Sequence, residues 1–171
     1  MSALLGARAA ARGQQAAQAL ASDGLDVEVV EIDLNDEKTI ASAAQAIDDR
    51  QGRLDILVNN AGIVDAQDGP PSLAGVDAAR RVMETNVVGT LAVTQSMLPL
   101  LRKSRAGRIV NRATTLGSLS INGDPSSPCY EARLIGYNAS RAALNMLTVQ
   151  LAAELRRQRA TPRAPALSAT P

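Results

Sequence analysis

Tyr137 and Arg141 stand four residues apart in the run Tyr137-Asn138-Ala139-Ser140-Arg141. That spacing puts them on one face of a helix, one turn apart. A phenol has a reference pKa of ~10 and needs help to act near neutrality. A cation ~4 Å away, at an effective dielectric near 20, supplies ~4 kcal/mol, about three pKa units. Arginine can supply that electrostatic part. It cannot release a proton, and its planar fork makes contacts unlike those of an ammonium.

Composition removes other chemistries. The chain has 171 residues, enough for one domain with a core, no His and one Cys. The usual zinc ligands are therefore missing, and Cys129 has no partner for an internal disulfide, which suits a reducing cytoplasm. Lys plus Arg (18) nearly balances Asp plus Glu (17), so charge gives no reason to expect nucleic acid. No apolar run approaches the ~18 residues of a membrane span. The short patch Ala3-Leu4-Leu5 does not read as a signal peptide.

The elements that must position the pair alternate short apolar runs with helical segments, the signature of a parallel sheet wrapped in helices. Strands are expected at Ala3–Ala7, Val27–Asp33, Leu54–Asn59 and Arg108–Asn111. Helices are expected over Ala9–Ser22, from a cap at Asn35 or Asp36 to about Arg50, over Arg80–Arg102 interrupted or bent near Gly89 and Pro99, and over Tyr137–Arg157. The segment Thr115–Gly136 reads as loop, punctuated by Gly117, Gly123, Pro125 and Pro128. Residues 158–171 lack any period and read as a disordered tail behind a single domain, 1–157.

Five pieces occur in a telling order: Asp33-Leu34, Leu57-Val58-Asn59-Asn60-Ala61-Gly62, Thr85-Asn86-Val87-Val88-Gly89, Arg108-Ile109-Val110-Asn111 and Tyr137 to Arg141. Through them, from Ala3 to about Arg156, the chain resembles classical short-chain dehydrogenases/reductases of the carbonyl-reductase-like kind. The resemblance implies an α/β fold, a Rossmann-like doubly wound parallel sheet with cofactor at the carboxyl ends of the strands. It implies a hydride passing between a nicotinamide and a carbonyl carbon, with Tyr137 as acid/base. Asn86 matches the asparagine of a water-mediated proton relay, and Thr114 falls at the position of a substrate-orienting serine.

Arg141 stands where the family has a lysine, so turnover is expected to fall severely. Arg8 and Arg12 resemble the arginines that hold the 2′-phosphate in NADP-type members, although both also read as solvated charges at a helix start. Asp33 and Leu34 match positions against adenine, and Asn60, Ala61 and Gly62 positions beside the adenosine ribose. Asn59 reads as a structural brace, bonding side chain to backbone. The substrate implied is a small carbonyl or alcohol. A homodimer through helices 80–102 and 137–157 is implied as well.

By this alignment the fold is incomplete. The family's first strand with its glycine-rich turn, and its C-terminal strands, have no counterpart. That first strand would lie between Ala3–Ala7 and Leu54–Asn59. Burying five aliphatic side chains contributes on the order of 10 kcal/mol at roughly 1.5–3 each, comparable with a whole domain's ~5–15 kcal/mol. Either the two flanking strands pair directly, the expectation favoured here, or a partner fills the gap. A second functional expectation follows from the same departures: an impaired remnant that keeps the fold, and could still dimerise, without binding cofactor productively.

Overall fold

The computed structural model describes residues 2–160. Strand β1 (Ala3–Ala7) leads into α1 (Ala10–Ser22), β2 (Val27–Glu31) and α2 (Glu37–Gln51). Strand β3 (Ile56–Asn59) is followed by α3 (Val76–Met83), a π-helical segment (Glu84–Gly89) and α4 (Thr90–Lys103). Strand β4 (Arg108–Asn111), a 3-10 turn (Thr115–Gly117), α5 (Leu119–Gly123) and α6 (Ile135–Ala160) complete the order. The expected tail lies, from residue 161 onward, outside the described residues.

Local chemistry accounts for the ends of these elements. Asp36 caps α2 through its side chain, which accepts from Lys38 N at 2.9 Å. Gly52 ends the same helix at φ 67°, a left-handed position where a Cβ would be strained. The long helix begins at Val76, four residues before the expected Arg80, and its α-helical pattern is interrupted up to Gly89 by the π segment. Pro99 lies inside α4.

Strands β1 and β2 pair in parallel, as do β3 and β4, in two separate two-stranded sheets. Direct pairing of β1 with β3 is therefore overturned. The reason lies in the helical layer beneath. Ile40, Ala43 and Ile47 of α2 pack with Val93, Met97, Leu100 and Leu101 of α4, and this core takes Leu4 and Val30 from one sheet and Leu57 and Ile109 from the other. One layer thus carries both sheets and fixes them at a spacing where the facing edges do not meet. Gly89 tightens the arrangement: a Cβ there would lie 2.5 Å from the Leu34 carbonyl oxygen.

On the opposite face, α1 covers the first sheet, with Gly13 against Val29 and Ala7. The second sheet is open there, with Ile56, Val58 and Val110 exposed to 46%, 58% and 47%. Parallel strands are ordinarily covered on both faces. Val88, Leu91, Met146 and Val149 are also exposed, on the helices expected to pair in a dimer.

Candidate active site

Each site residue expected from sequence, except Arg12 and those carried on helices, follows the carboxyl end of a strand. Arg8 succeeds β1, Asp33 and Leu34 succeed β2, Asn60 to Gly62 succeed β3, and Thr114 lies just beyond β4. Parallel α/β sheets bind ligands at those ends.

Two features meet there. The first is a cleft of about 1340 Å³ between β1 and β3, lined by Arg8, Asp33, Leu34, Asn60, Ala61 and Gly62 among others. Arg12, on the exposed side of α1, is not part of its lining. Asp33 holds its own loop in place: its Oδ1 accepts from Asn35 N at 3.0 Å, and its backbone is tied to the Thr39 hydroxyl at 2.9 Å. Arg8 has no ion-pair partner among the described residues.

The second feature is a cluster on the first turns of α6. The π segment turns Asn86 fully inward, to 0% exposure. Its Oδ1 accepts from Ile63 N at 2.7 Å, and its Nδ2 donates to Ile63 O at 2.9 Å and to Ser140 Oγ at 3.0 Å. Ser140 Oγ donates to the Tyr137 carbonyl at 2.7 Å. Asn86 therefore ties the loop after β3 to the helix that carries the phenol. Both of its amide hydrogens are committed, which leaves one Oδ1 lone pair for anything further.

Arg141 is only 8% exposed, and its guanidinium lies over the Tyr137 ring, 4.8 Å from the centroid. Its Nη1 donates to the Arg112 carbonyl at 3.4 Å, while Nε is buried without a partner. No carboxylate pairs with it among the described residues. Gly62 makes room for it: a Cβ at that position would lie 2.3 Å from Nη2. Since Gly62 also lines the cleft, the two features share a wall.

Thr114 caps the 3-10 turn between two residues that touch Arg141, namely Arg112 and Gly117. Arg112 touches Arg141, and Gly117 packs on the Arg141 backbone, with room for no Cβ beyond 2.8 Å. The Thr114 hydroxyl accepts from Leu116 N at 3.4 Å, so its proton stays available to donate. It has no direct contact with Tyr137 or Asn86. The stretch expected to be loop, Thr115–Gly136, contains the 3-10 turn and α5. It is pinned to α6 by Asn145 on Gly117 O and by Asn138 on Asn122 and Ala132 O. Asn59 does brace the sheet, but through side chains: its Nδ2 donates to Thr94 Oγ1 at 3.0 Å and to Asn111 Oδ1 at 2.8 Å.

Sequence reasoning missed three contributors. Ser140 sits inside the Tyr137 motif and relays Asn86 to the helix backbone. Arg112 donates to Asn60 Oδ1 at 3.0 Å, joining the ends of β3 and β4. Asp68 accepts from the amides that open α6. Nearby, Asp65 pairs with Arg81 at 2.8 Å, and that hydrogen bond draws its carboxyl below the ordinary range.

Comparison with known proteins agrees with this geometry. A family model described as short chain dehydrogenase matches residues 1–170. The short-chain dehydrogenase anuI of Penicillium roqueforti is 35% identical over 161 residues, covering 91% of this chain and 63% of that protein. Carbonyl reductase [NADPH] 1 of Sus scrofa is 35% identical over 119 residues, 70% of this chain and 40% of that one. Among solved structures, the Pseudomonas aeruginosa RhlG/NADP active-site complex superposes with a TM-score of 0.75 at 31% identity, covering 89% of this chain and 56% of that chain. This chain thus spans less than two thirds of the length of each.

Proposed function

We propose, since the chain belongs to the short-chain dehydrogenase/reductase family, that it takes NADP(H) into the cleft and reduces a small carbonyl, or oxidises the matching alcohol, beside Tyr137. One observation supports this: the residues after the carboxyl ends of β1, β2 and β3 line one cleft, and Gly62 of that lining abuts Arg141, which covers Tyr137. The cleft suits a dinucleotide. Ala61 and Gly62 let a ligand approach the backbone, Leu34 and Ile32 offer apolar walls, and Arg8 is a cation awaiting an anion.

In this reading Arg8 takes the adenosine 2′-phosphate, Asp33 and Leu34 flank the adenine, and Asn60 to Gly62 line the path toward Tyr137. NADPH, when bound, supplies the hydride. Thr114 keeps its proton and orients the substrate by donating a hydrogen bond to its oxygen. Tyr137 transfers its phenolic proton to that oxygen as the carbon gains hydride, which completes the alcohol. Arg141, over the ring, stabilises the negative charge left on the phenolate.

Arginine cannot pass a proton onward to reset Tyr137. Arg141→Lys is therefore expected to raise turnover by about a hundredfold, the low end of a general-acid effect. Unchanged turnover would remove the proton-release defect from the account.

A second reading, a chain that keeps the fold without binding cofactor productively, is favoured by one observation: β1 and β3 face the cleft from separate sheets. Calorimetric titration separates the two. NADPH is expected to bind more tightly than NADH, and Arg8→Ala to weaken NADPH about tenfold or more, one charge-assisted contact, while leaving NADH unchanged. Equal affinities in the wild type would refute the role of Arg8. No binding of either at about 1 mM, a threshold near 4 kcal/mol, would favour the second reading.

A further inference from the structure

We propose that Asp68 is the positioning residue for Tyr137, holding the first turn of α6 from 69 residues away in the chain. The inference rests on the reading of Tyr137 as the acid. A helix leaves its first N–H groups without intrahelical acceptors. In α6 those groups belong to Ile135, Gly136 and Tyr137. Gly69 O accepts from Ile135 N at 3.0 Å. Asp68 Oδ1 accepts from Gly136 N at 2.9 Å, and Oδ2 accepts from Tyr137 N at 2.8 Å. The next amide, Asn138 N, bonds to Leu134 O at 2.8 Å. Two residues of a distant loop thus satisfy the whole opening turn.

A carboxylate gripping two successive amides fixes direction as well as distance, and its charge complements the positive end of the helix. The clamp is itself anchored. Asp68 Oδ1 also accepts from Gly69 N at 2.9 Å, and Asp68 N donates to Asp65 O at 3.0 Å. Asp65 in turn pairs with Arg81 on α3. Gly136 allows the helix to seat: a Cβ there would lie 3.1 Å from Ala79 Cα and 3.2 Å from Asp68 Oδ2. Tyr137 follows directly, and Arg141 one turn on is carried by the same rigid start. Asp68 acts on the reaction only through the backbone of Tyr137.

The chain offers a direct readout, because it holds two tyrosines and no tryptophan. In a Tyr130→Phe background, the tyrosine band in near-ultraviolet circular dichroism reports Tyr137 alone. Asp68→Asn replaces one of the two accepting oxygens with an NH2 that faces a backbone N–H, which breaks the two-oxygen grip. It is expected to abolish most of that band, leave far-ultraviolet helicity unchanged, and lower kcat about 10–100-fold, the effect of a displaced reacting group. KM for NADPH, with 4-nitrobenzaldehyde as the carbonyl, stays constant, and Asp68→Glu recovers part of the band and of kcat. Gly136→Ala, which keeps the carboxylate but lifts the helix from it, is expected to act in the same direction and serves if Asp68→Asn fails to fold.

A Tyr137 band unaffected by both variants overturns the proposal. So does a lost band with wild-type kcat, or a KM that rises in step with the fall in kcat. If the wild type reduces no carbonyl, the functional reading fails first. The band then decides alone: its loss upholds the placement of the ring by Asp68, and its persistence overturns it.

Discussion

Tyr137→Phe is expected to lower carbonyl reduction by roughly 10²–10⁴-fold, the range for losing a positioned general acid. The phenylalanine ring keeps the shape that Arg141 covers at 4.8 Å, so packing of the helix start should survive. Asp68 and Ser140 hold Tyr137 by its backbone, and neither contact needs the phenol. NADPH affinity should therefore stay close to that of the wild type, and the whole effect should fall on kcat. Turnover followed by the loss of NADPH absorbance, beside a calorimetric Kd, makes the separation. A variant that keeps wild-type kcat would show that the proton comes from elsewhere.

Asn86→Ala is expected to be the most destabilising single change at the site. It removes three hydrogen bonds from a side chain with no exposure, leaving Ile63 N and O without their side-chain partner and Ser140 Oγ with only its bond to the Tyr137 carbonyl. Each hydrogen bond lost costs about 1 kcal/mol, and with the volume vacated at a fully buried site the sum is ~3–5 kcal/mol. At roughly 2–4 °C per kcal/mol for a chain of this size, the melting temperature should fall by about 6–20 °C. Asn86→Asp should recover part of this, since a carboxylate still accepts from Ile63 N but has no proton for Ile63 O. A thermal melt within about 2 °C of wild type would contradict the bracing role, because it implies less than ~1 kcal/mol.

Much of this site was legible because strand ends and motifs are local. The run Leu57 to Gly62 announces both a strand and the small residues after it, but not that Ile56 and Val58 leave one face of that strand open. Asp36 and Gly52 mark the ends of α2 by the chemistry of their own side chains. The spacing of Tyr137 and Arg141 gives their common face outright. Other features depend on distant parts of the chain. The π segment carries the Asn86 that bonds Ile63 and Ser140 at once, and no propensity records those distant contacts. Asp68 precedes Gly69-Pro70-Pro71 and reads as an ordinary turn residue; only the folded chain brings α6 to it.

Sheet pairing misled for a related reason. Two apolar parallel strands invite direct pairing, and burial alone would favour it. The α2–α4 layer decides otherwise, because Leu4 and Leu57 both pack on it while their strands remain apart. The expectation that Thr115–Gly136 is loop failed more mildly. Hydroxyl and amide side chains, Thr114, Ser118 and Asn122, cap and tie short turns there without any apolar period to betray them.

The central claim is that Tyr137, Arg141, Asn86 and the β1–β3 cleft form one hydride-transferring site. It is tested most directly by incubating the chain with NADPH carrying deuterium at the transferable position of nicotinamide C4, together with 4-nitrobenzaldehyde. Mass analysis of the alcohol should find the deuterium on the former carbonyl carbon, and Tyr137→Phe should suppress the labelled product. Alcohol without label, or no alcohol while the cofactor is demonstrably bound, would contradict the account.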